Sequence, residues 1–269
     1  MKQLPHNTIT TVIPRRGIND EGKGKKYALY QLISTATTEY VHLLDDDVVP
    51  PSQLPDTTAD MVILPLRMEA ENPPTLVERL QIAEYAAIQE LTIRTARQGH
   101  AVMCSGANLL VKRQRWVESY HDLHPEIASG DDMFLLESFK RRGLTIVVVD
   151  QHKYTAIVRP QPTLHALLRQ RMRWAGKAPA YTDKDIRRCG SIVFLALLLQ
   201  LICPLFILLN FPIEYKLAHS RLQQWATLNA THTKSKIRFL TILLLSFIYP
   251  LYAVISLLGG LLSPRRATY

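Results

Sequence analysis

Three short stretches of this chain carry side chains able to do group-transfer chemistry. Asp45, Asp46 and Asp47 follow the apolar residues Val41, Leu43 and Leu44, which sets the carboxylates at the C-terminal edge of a strand, where open α/β sheets bind ligands. On an extended chain, side chains two apart face the same way. Asp45 and Asp47 can then approach one Mg²⁺ or Mn²⁺ ion, with Asp46 pointing elsewhere. An acidic triplet is also an ordinary solvated loop. The second stretch, Ser129-Gly130-Asp131-Asp132, opens a helix. Its plain role is an acidic cap in which Ser129 or Asp131 satisfies the first-turn amides. Its chemical role would be that of a general base, with Asp132 held rigidly at the helix start. In the third stretch, Gln170, Arg173 and Trp174 stand at i, i+3 and i+4 and share one helix face. Arg173 there suits diphosphate oxygens, and the Trp174 indole offers a flat apolar surface for stacking. The same residues would equally anchor a helix at a membrane interface.

The elements that must position these residues alternate between strand and helix. Thr8 to Pro14 is rich in β-branched residues and precedes the charged, turn-forming stretch RRGINDEGKGKK. Leu29, Leu32, Ile33 and Ala36 have helical spacing and lead into a short strand at Tyr40 to Leu44. After the proline-rich VVPPSQLPD, a strand is expected at Ala59 to Leu66, then a helix from Pro73-Pro74 to about Gln98, stopped by Gly99. A helix near Gln114 to Tyr120, one from Asp131 to Arg142, a strand at Leu144 to Val149 and an amphipathic helix at Thr163 to Ala175 complete an α/β pattern.

A length of 269 residues accommodates one α/β domain, taken as 1–180, and an appendage, 181–269. The appendage changes character. Ser191 to Phe211 and Phe239 to Leu262 contain no charged residue, so the stretches 191–212 and 239–262 are expected to be two membrane helices rather than buried core helices. The net charge of +9 is compatible with nucleic acid, an anionic membrane or a phosphate-bearing ligand. A nucleic-acid role explains none of the aspartates and is set aside. Cys104, Cys189 and Cys203 lack any CxxC pairing, so neither a disulfide framework nor a zinc site is expected. The polar start MKQLPHNT is no signal peptide, and the basic GKAPAYTDKDIRR favours the anionic cytoplasmic leaflet, placing the first half in the cytoplasm as part of a multi-pass membrane protein. One conflict stands. The loop from Glu214 to Arg238 carries Lys216, Arg221, Lys234, Lys236 and Arg238, and two simple spans would put it outside. A re-entrant first hairpin bent near Pro204 and Pro212, or a missing partner span, would remove the conflict.

Taken together, Gly24-Lys25 with Ala28-Leu29, the aspartates at 45–47, GANLLVKR at 106–113, GDD at 130–132 and QRMRW at 170–174 resemble glycosyltransferase family 2 in order and spacing. The resemblance runs from about Thr8 to Trp174, and it points to cellulose-synthase-like and ceramide-glucosyltransferase-like members. It implies a GT-A (Rossmann-like) fold and inverting transfer from a nucleotide-diphosphate sugar to a saccharide or lipid acceptor. Carried over, it implies donor binding by Lys25, Asp45, Asp47 and Arg173, with Asp45 and Asp47 also holding the metal. Asp132 would be the catalytic base, and Gln170, Trp174 and Asp131 would serve the acceptor. The first strand, helix and acidic strand of such domains have no counterpart upstream of Thr8, so an N-terminally truncated domain is expected. That leaves a non-catalytic, membrane-tethered binding module as the alternative.

Overall fold

The computed structural model describes residues 9–14, 24–71, 73–127, 129–227 and 239–262. Its centre is a mixed five-stranded sheet in the order β1-β2-β5-β3-β6, built from β1 (Ile9–Val12), β2 (Tyr40–Leu43), β3 (Met61–Ile63), β5 (Leu109–Lys112) and β6 (Ile146–Val148). β1 and β2 are parallel, joined through α1 (Lys25–Thr35), whereas β5 runs antiparallel to both β2 and β3. The register pairs Leu43 with Leu109 and Ile63 with Leu109, so the C-terminal ends of β2 and β3 and the start of β5 form one edge. The central strands are buried on both faces, which is why their sequences are mostly apolar, with His42 of β2 the polar exception.

Helices pack on one face of the main sheet, and Leu54, Ala59, Leu64 and Tyr154 cover the other. α1, α3 (Arg113–Glu118) and α4 (Asp131–Arg141) pack Leu29, Ile33, Trp116, Phe134 and Phe139 against one side. Ala96 of α2 (Leu76–Arg97) joins the same cluster, while Ile82, Tyr85 and Ala86 of that helix pack on Leu66, Met68 and Ala156. α2 starts with a capping box, in which the Thr75 hydroxyl accepts from the Glu78 amide while the Glu78 carboxylate accepts from the Thr75 amide. Gly99, at φ 79°, follows its last turn, as expected of a helix stop. The strand expected at 59–66 divides, because the chain leaves the main sheet after Ile63. β4 (Leu66–Met68) then pairs with β7 (Ala156–Val158) in a separate two-stranded sheet. One buried amide ties the layers together. Asn108 Nδ2 donates to the carbonyls of Pro65 (2.8 Å) and Tyr154 (2.9 Å), and its Oδ1 accepts from His42 Nε2 at 2.8 Å.

The amphipathic helix is α5 (Leu164–Ala175), capped by Thr163. The apolar region differs from expectation. Residues 191–212 are not one helix: α6 (Lys184–Ile202) ends at Cys203, a short 3₁₀ turn covers Pro204–Phe206, and α7 (Ile207–Thr227) follows with Pro212 inside it. Proline lacks the amide that would continue the helix, and the bend falls where Pro204 removes it. Among the described residues one helix, Thr241–Leu262 within α8 (Phe239–Leu262), is long and apolar enough to cross a membrane. Thr8, part of the charged loop after Pro14, and Lys234, Lys236 and Arg238 lie outside the described residues.

Candidate active site

The shared sheet edge collects the chemistry. Leaving β2, Asp45 is half-exposed and Asp46 and Asp47 are exposed. The Val48 amide donates to the Asp45 carbonyl at 3.3 Å, closing a turn. The aspartates are therefore presented by a turn and not by an extended strand, which changes the reason for their proximity. Partial desolvation and the nearby Asp45 charge push the Asp47 carboxyl above the usual range. Two carboxylates that repel each other in one turn are a fitting partial shell for Mg²⁺, which takes one or two carboxylates and fills the remainder with phosphate oxygens and water. Among the described residues no group of three or more His, Cys, Asp or Glu side chains is arranged to hold an ion unaided.

Lys25 opens α1 at the same edge. Its Nζ donates to Asp45 Oδ1 at 2.7 Å and lies 3.4 Å from Asp131 Oδ2. Burial alone would favour the neutral amine, but the charges of Asp131, Asp45 and Asp132 outweigh it and hold the ammonium well above the ordinary lysine value. A cation at the first position of a helix opposes the macrodipole, and these carboxylates offset that cost.

Asp131 and Asp132 begin α4. The cap is neither Ser129 nor Asp131 but Gly130, in the left-handed region at φ 86° and without a side-chain cap bond. A side chain at Gly130 would also strike Lys177, whose Cδ would lie 2.7 Å from an added Cβ. Asp132 Oδ1 accepts from the Met133 amide (2.8 Å) and Oδ2 from the Gly106 amide (3.2 Å). One lone pair on each oxygen stays available. Asp131 is buried and Asp132 is not, and their titrations diverge. Asp131 overcomes its desolvation through Lys25, Lys177 and Lys26 and stays below the usual carboxylate range. Asp132 is pushed up, first by desolvation and then by Asp131. Two adjacent carboxyls held apart in this way let the upper one exchange a proton while the lower one stays ionised.

Sequence reading missed two lysines of this cluster. Lys26 Nζ, buried, donates to the carbonyls of Leu123 (2.5 Å) and His124 (2.8 Å), and desolvation lowers its pKa to about 8. Lys177 is also buried and lowered by desolvation, against the pull of Asp132 and Asp131. Lys177 stands two residues past the end of α5, outside the helix face on which Gln170, Arg173 and Trp174 were read.

α5 supplies the last wall. Arg173 and Trp174 are exposed, Gln170 is half-buried, and the charge of Arg173 adds to the repulsion felt at Lys177. The arginine fixed in place is the one not singled out, Arg171. It makes a buried two-pronged pair with Glu84 of α2 (Nε to Oε1 3.2 Å, Nη2 to Oε2 2.8 Å) and donates to Gln170 Oε1 at 2.8 Å. Its guanidinium carbon lies 4.3 Å from the Trp174 ring centroid, stacking the indole. Arg171 thus connects Gln170, Trp174 and the body of the domain. Beneath, Trp225 of α7 packs with Leu44, Tyr85 and Ala107 to floor the edge.

Comparison with known proteins identifies the family of the chain. No curated protein matches the chain. A solved structure described as "Crystal Structure of a Mycobacterial Protein" aligns at 14% identity with a TM-score of 0.29, over 60% of this chain and 53% of that one, so the chain spans about half the length of that structure. The model of the family described as "Glycosyltransferase like family 2" matches residues 1–177. With Lys25, the aspartates at 45–47, Asp131, Asp132 and the 170–174 segment all inside the matched region, the chain belongs to the glycosyltransferase-like family 2, whose GT-A α/β fold the mixed, helix-flanked sheet fits.

Proposed function

We propose that this chain transfers a sugar, with inversion, from a nucleotide-diphosphate sugar to the hydroxyl of a polysaccharide, glycolipid or lipid-linked acceptor at the cytoplasmic face of a membrane. The observation that carries the reading is the meeting of an accessible, elevated carboxylate, Asp132, with the Lys25–Asp45 pair at one sheet edge. In a single displacement the acceptor oxygen bonds to the anomeric carbon as the bond to the diphosphate breaks, and the diphosphate leaves with the electron pair. Asp132 takes the hydroxyl proton. Lys25 and Arg173 offset charge on the departing diphosphate. A Mg²⁺ or Mn²⁺ ion held by Asp45 and Asp47 supplies further neutralisation there when bound. Gln170, the Arg171-backed indole of Trp174 and Asp131 serve the acceptor. Nucleic acid has no part in this reading, and the bilayer partner is supported by the uncharged helix at 241–262.

The test is donor turnover by detergent-solubilised protein with a panel of UDP- and GDP-sugars and Mn²⁺, beside Asp132→Asn. Loss of about 10²- to 10⁴-fold in kcat, with donor binding and melting temperature retained, is the expected result. Undiminished turnover in the variant removes Asp132 from the role. If no donor binds to either protein, the chain acts instead as a tethered binding module.

A further inference from the structure

The two ends of each apolar element rest on the same body. α6 leaves the domain where Lys140 bonds Asp183 (2.6 Å) and Asp185 (2.9 Å), and Ile186 enters the main core. After the turn at Pro204–Phe206, α7 returns to that domain. Arg221 is buried between Glu90 (2.7 Å) and Asp150 (2.8 Å), Ala218 packs on Ala83, and Trp225 reaches the floor of the site. The return is stitched to the outward limb by Asn210 Nδ2, which donates to the Ala196 carbonyl (3.1 Å) and Gln200 Oε1 (2.9 Å). Residues 189–202 reach out only about 20 Å at about 1.5 Å per residue. The hydrocarbon core is about 30 Å thick, so this limb stops inside it.

α8 is long enough to cross, yet it too is held at both ends. Ile242 packs on Ala83 of α2 and Ala218 of α7, and Gln200 donates to the Ser246 carbonyl at 2.6 Å. About 27 Å further along, Gly260 meets α5 so closely that an added Cβ would lie 2.4 Å from the Met172 carbonyl oxygen and 2.6 Å from the Gly176 nitrogen. In a crossing helix, one of these ends would stand across the bilayer from the domain. α5 exposes His165, Arg169 and Arg173 and does not belong in hydrocarbon. The remaining face of α8 is one apolar stripe, Leu244, Phe247, Leu251, Ile255, Leu258 and Leu262, all exposed. Ile202, Leu205 and Leu208 at the hairpin tip are each at least 70% exposed, and exposed Arg187, Arg188 and Lys216 ring the hairpin base.

We propose that the described part of the chain is monotopic: 189–213 is a re-entrant hairpin dipping into one leaflet of an anionic bilayer, α8 lies in the plane of that leaflet, and neither crosses. This rests on the membrane-attached reading above, but not on sugar transfer. It also returns the segment that begins at Glu214 to the side of the catalytic domain, which removes the conflict with the basic loop.

The test uses the full chain with Cys189→Ser and Cys203→Ser, retaining the buried Cys104, added to vesicles of phosphatidylcholine and phosphatidylglycerol. Flotation with the vesicles tests attachment. Single cysteines at Thr182, at Leu205 and appended after Tyr269 are then exposed to an impermeant maleimide, added outside or trapped in the lumen. The expected pattern is outside labelling of Thr182→Cys and the appended cysteine to equal extents, with Leu205→Cys labelled from neither side until detergent is added. Labelling of the appended cysteine or of Leu205→Cys from the lumen overturns the proposal by showing a crossing. Outside labelling of Leu205→Cys overturns it by showing no insertion. Failure to float refutes attachment itself, whatever the transferase assay gives.

Discussion

Asp132 is elevated mainly by desolvation and by Asp131, and Lys177 works in the opposite direction. In its proposed role as base Asp132 must be ionised to act, so activity is expected to fall as pH drops through its pKa. Lys177→Met removes a stabilising cation, and the acid limb of kcat/KM is expected to move to higher pH. Asp131→Asn removes a repelling anion and is expected to move it to lower pH. Opposite displacements in pH–rate profiles check the assignment, since mere loosening of the site would not give two signs. The Arg171–Glu84 pair makes a second residue-scale prediction. Glu84→Gln strands a buried guanidinium and should cost about 3–5 kcal/mol by denaturant unfolding. The double change Glu84→Leu with Arg171→Met should recover much of that stability while acceptor KM stays raised, because the Trp174 indole loses the plane that holds it. At this scale, the sequence showed the carboxylates and the QRMRW face because type and spacing suffice for them. It did not show Lys26, Lys177 or Glu84. A buried lysine looks like a surface lysine until the fold surrounds it, and Glu84 stands 87 positions from its partner.

At the scale of elements, helix boundaries were readable from local chemistry: Thr75 with Glu78, Gly99 and Thr163 mark ends that need no tertiary contact. Of the strands, β1, β2, β3 and β6 fell within expected stretches, whereas the central β5 and the short β7 were not expected, and no partnership was readable. Nothing between Ala59 and Leu66 announces that the chain changes sheets after Ile63, since both halves are apolar and the switch is a matter of pairing. The apolar run 191–212 was misjudged for a related reason. Hydropathy averages over Pro204, whereas the missing amide there ends α6. The α5–α8 seam gives the prediction belonging here. Backbone lies where a Gly260 side chain would go, so Gly260→Ala must separate the helices and should destabilise by roughly 1–3 kcal/mol. Gly190→Ala, which meets nothing within 4 Å, should not. Thermal unfolding of the pair in one detergent distinguishes a packing effect from a general loss of glycine.

For the molecule as a whole, the division into an α/β half and an apolar half, clear in composition, is blurred in three dimensions. The family match ends at residue 177, yet Trp225 lies under Leu44, Tyr85 and Ala107, and Arg221 neutralises Glu90 and Asp150. The α/β character and the site's location at a sheet edge were legible because they follow from pattern. The interlocking of α7 and α8 with α2 and α5 was not, because it depends on faces that meet only after the hairpin has turned back. The floor under Trp225 also has a consequence for timing. During synthesis from the N-terminus, the motif-bearing residues emerge first, but Trp225 joins the cluster with Leu44, Tyr85 and Ala107, and Arg221 joins Arg94 and Arg97 on the Glu90 and Asp150 carboxylates, only once α7 has emerged and folded back. The nascent chain is therefore expected to complete the packing beneath its motif residues only after the turn at Pro204–Phe206 has formed.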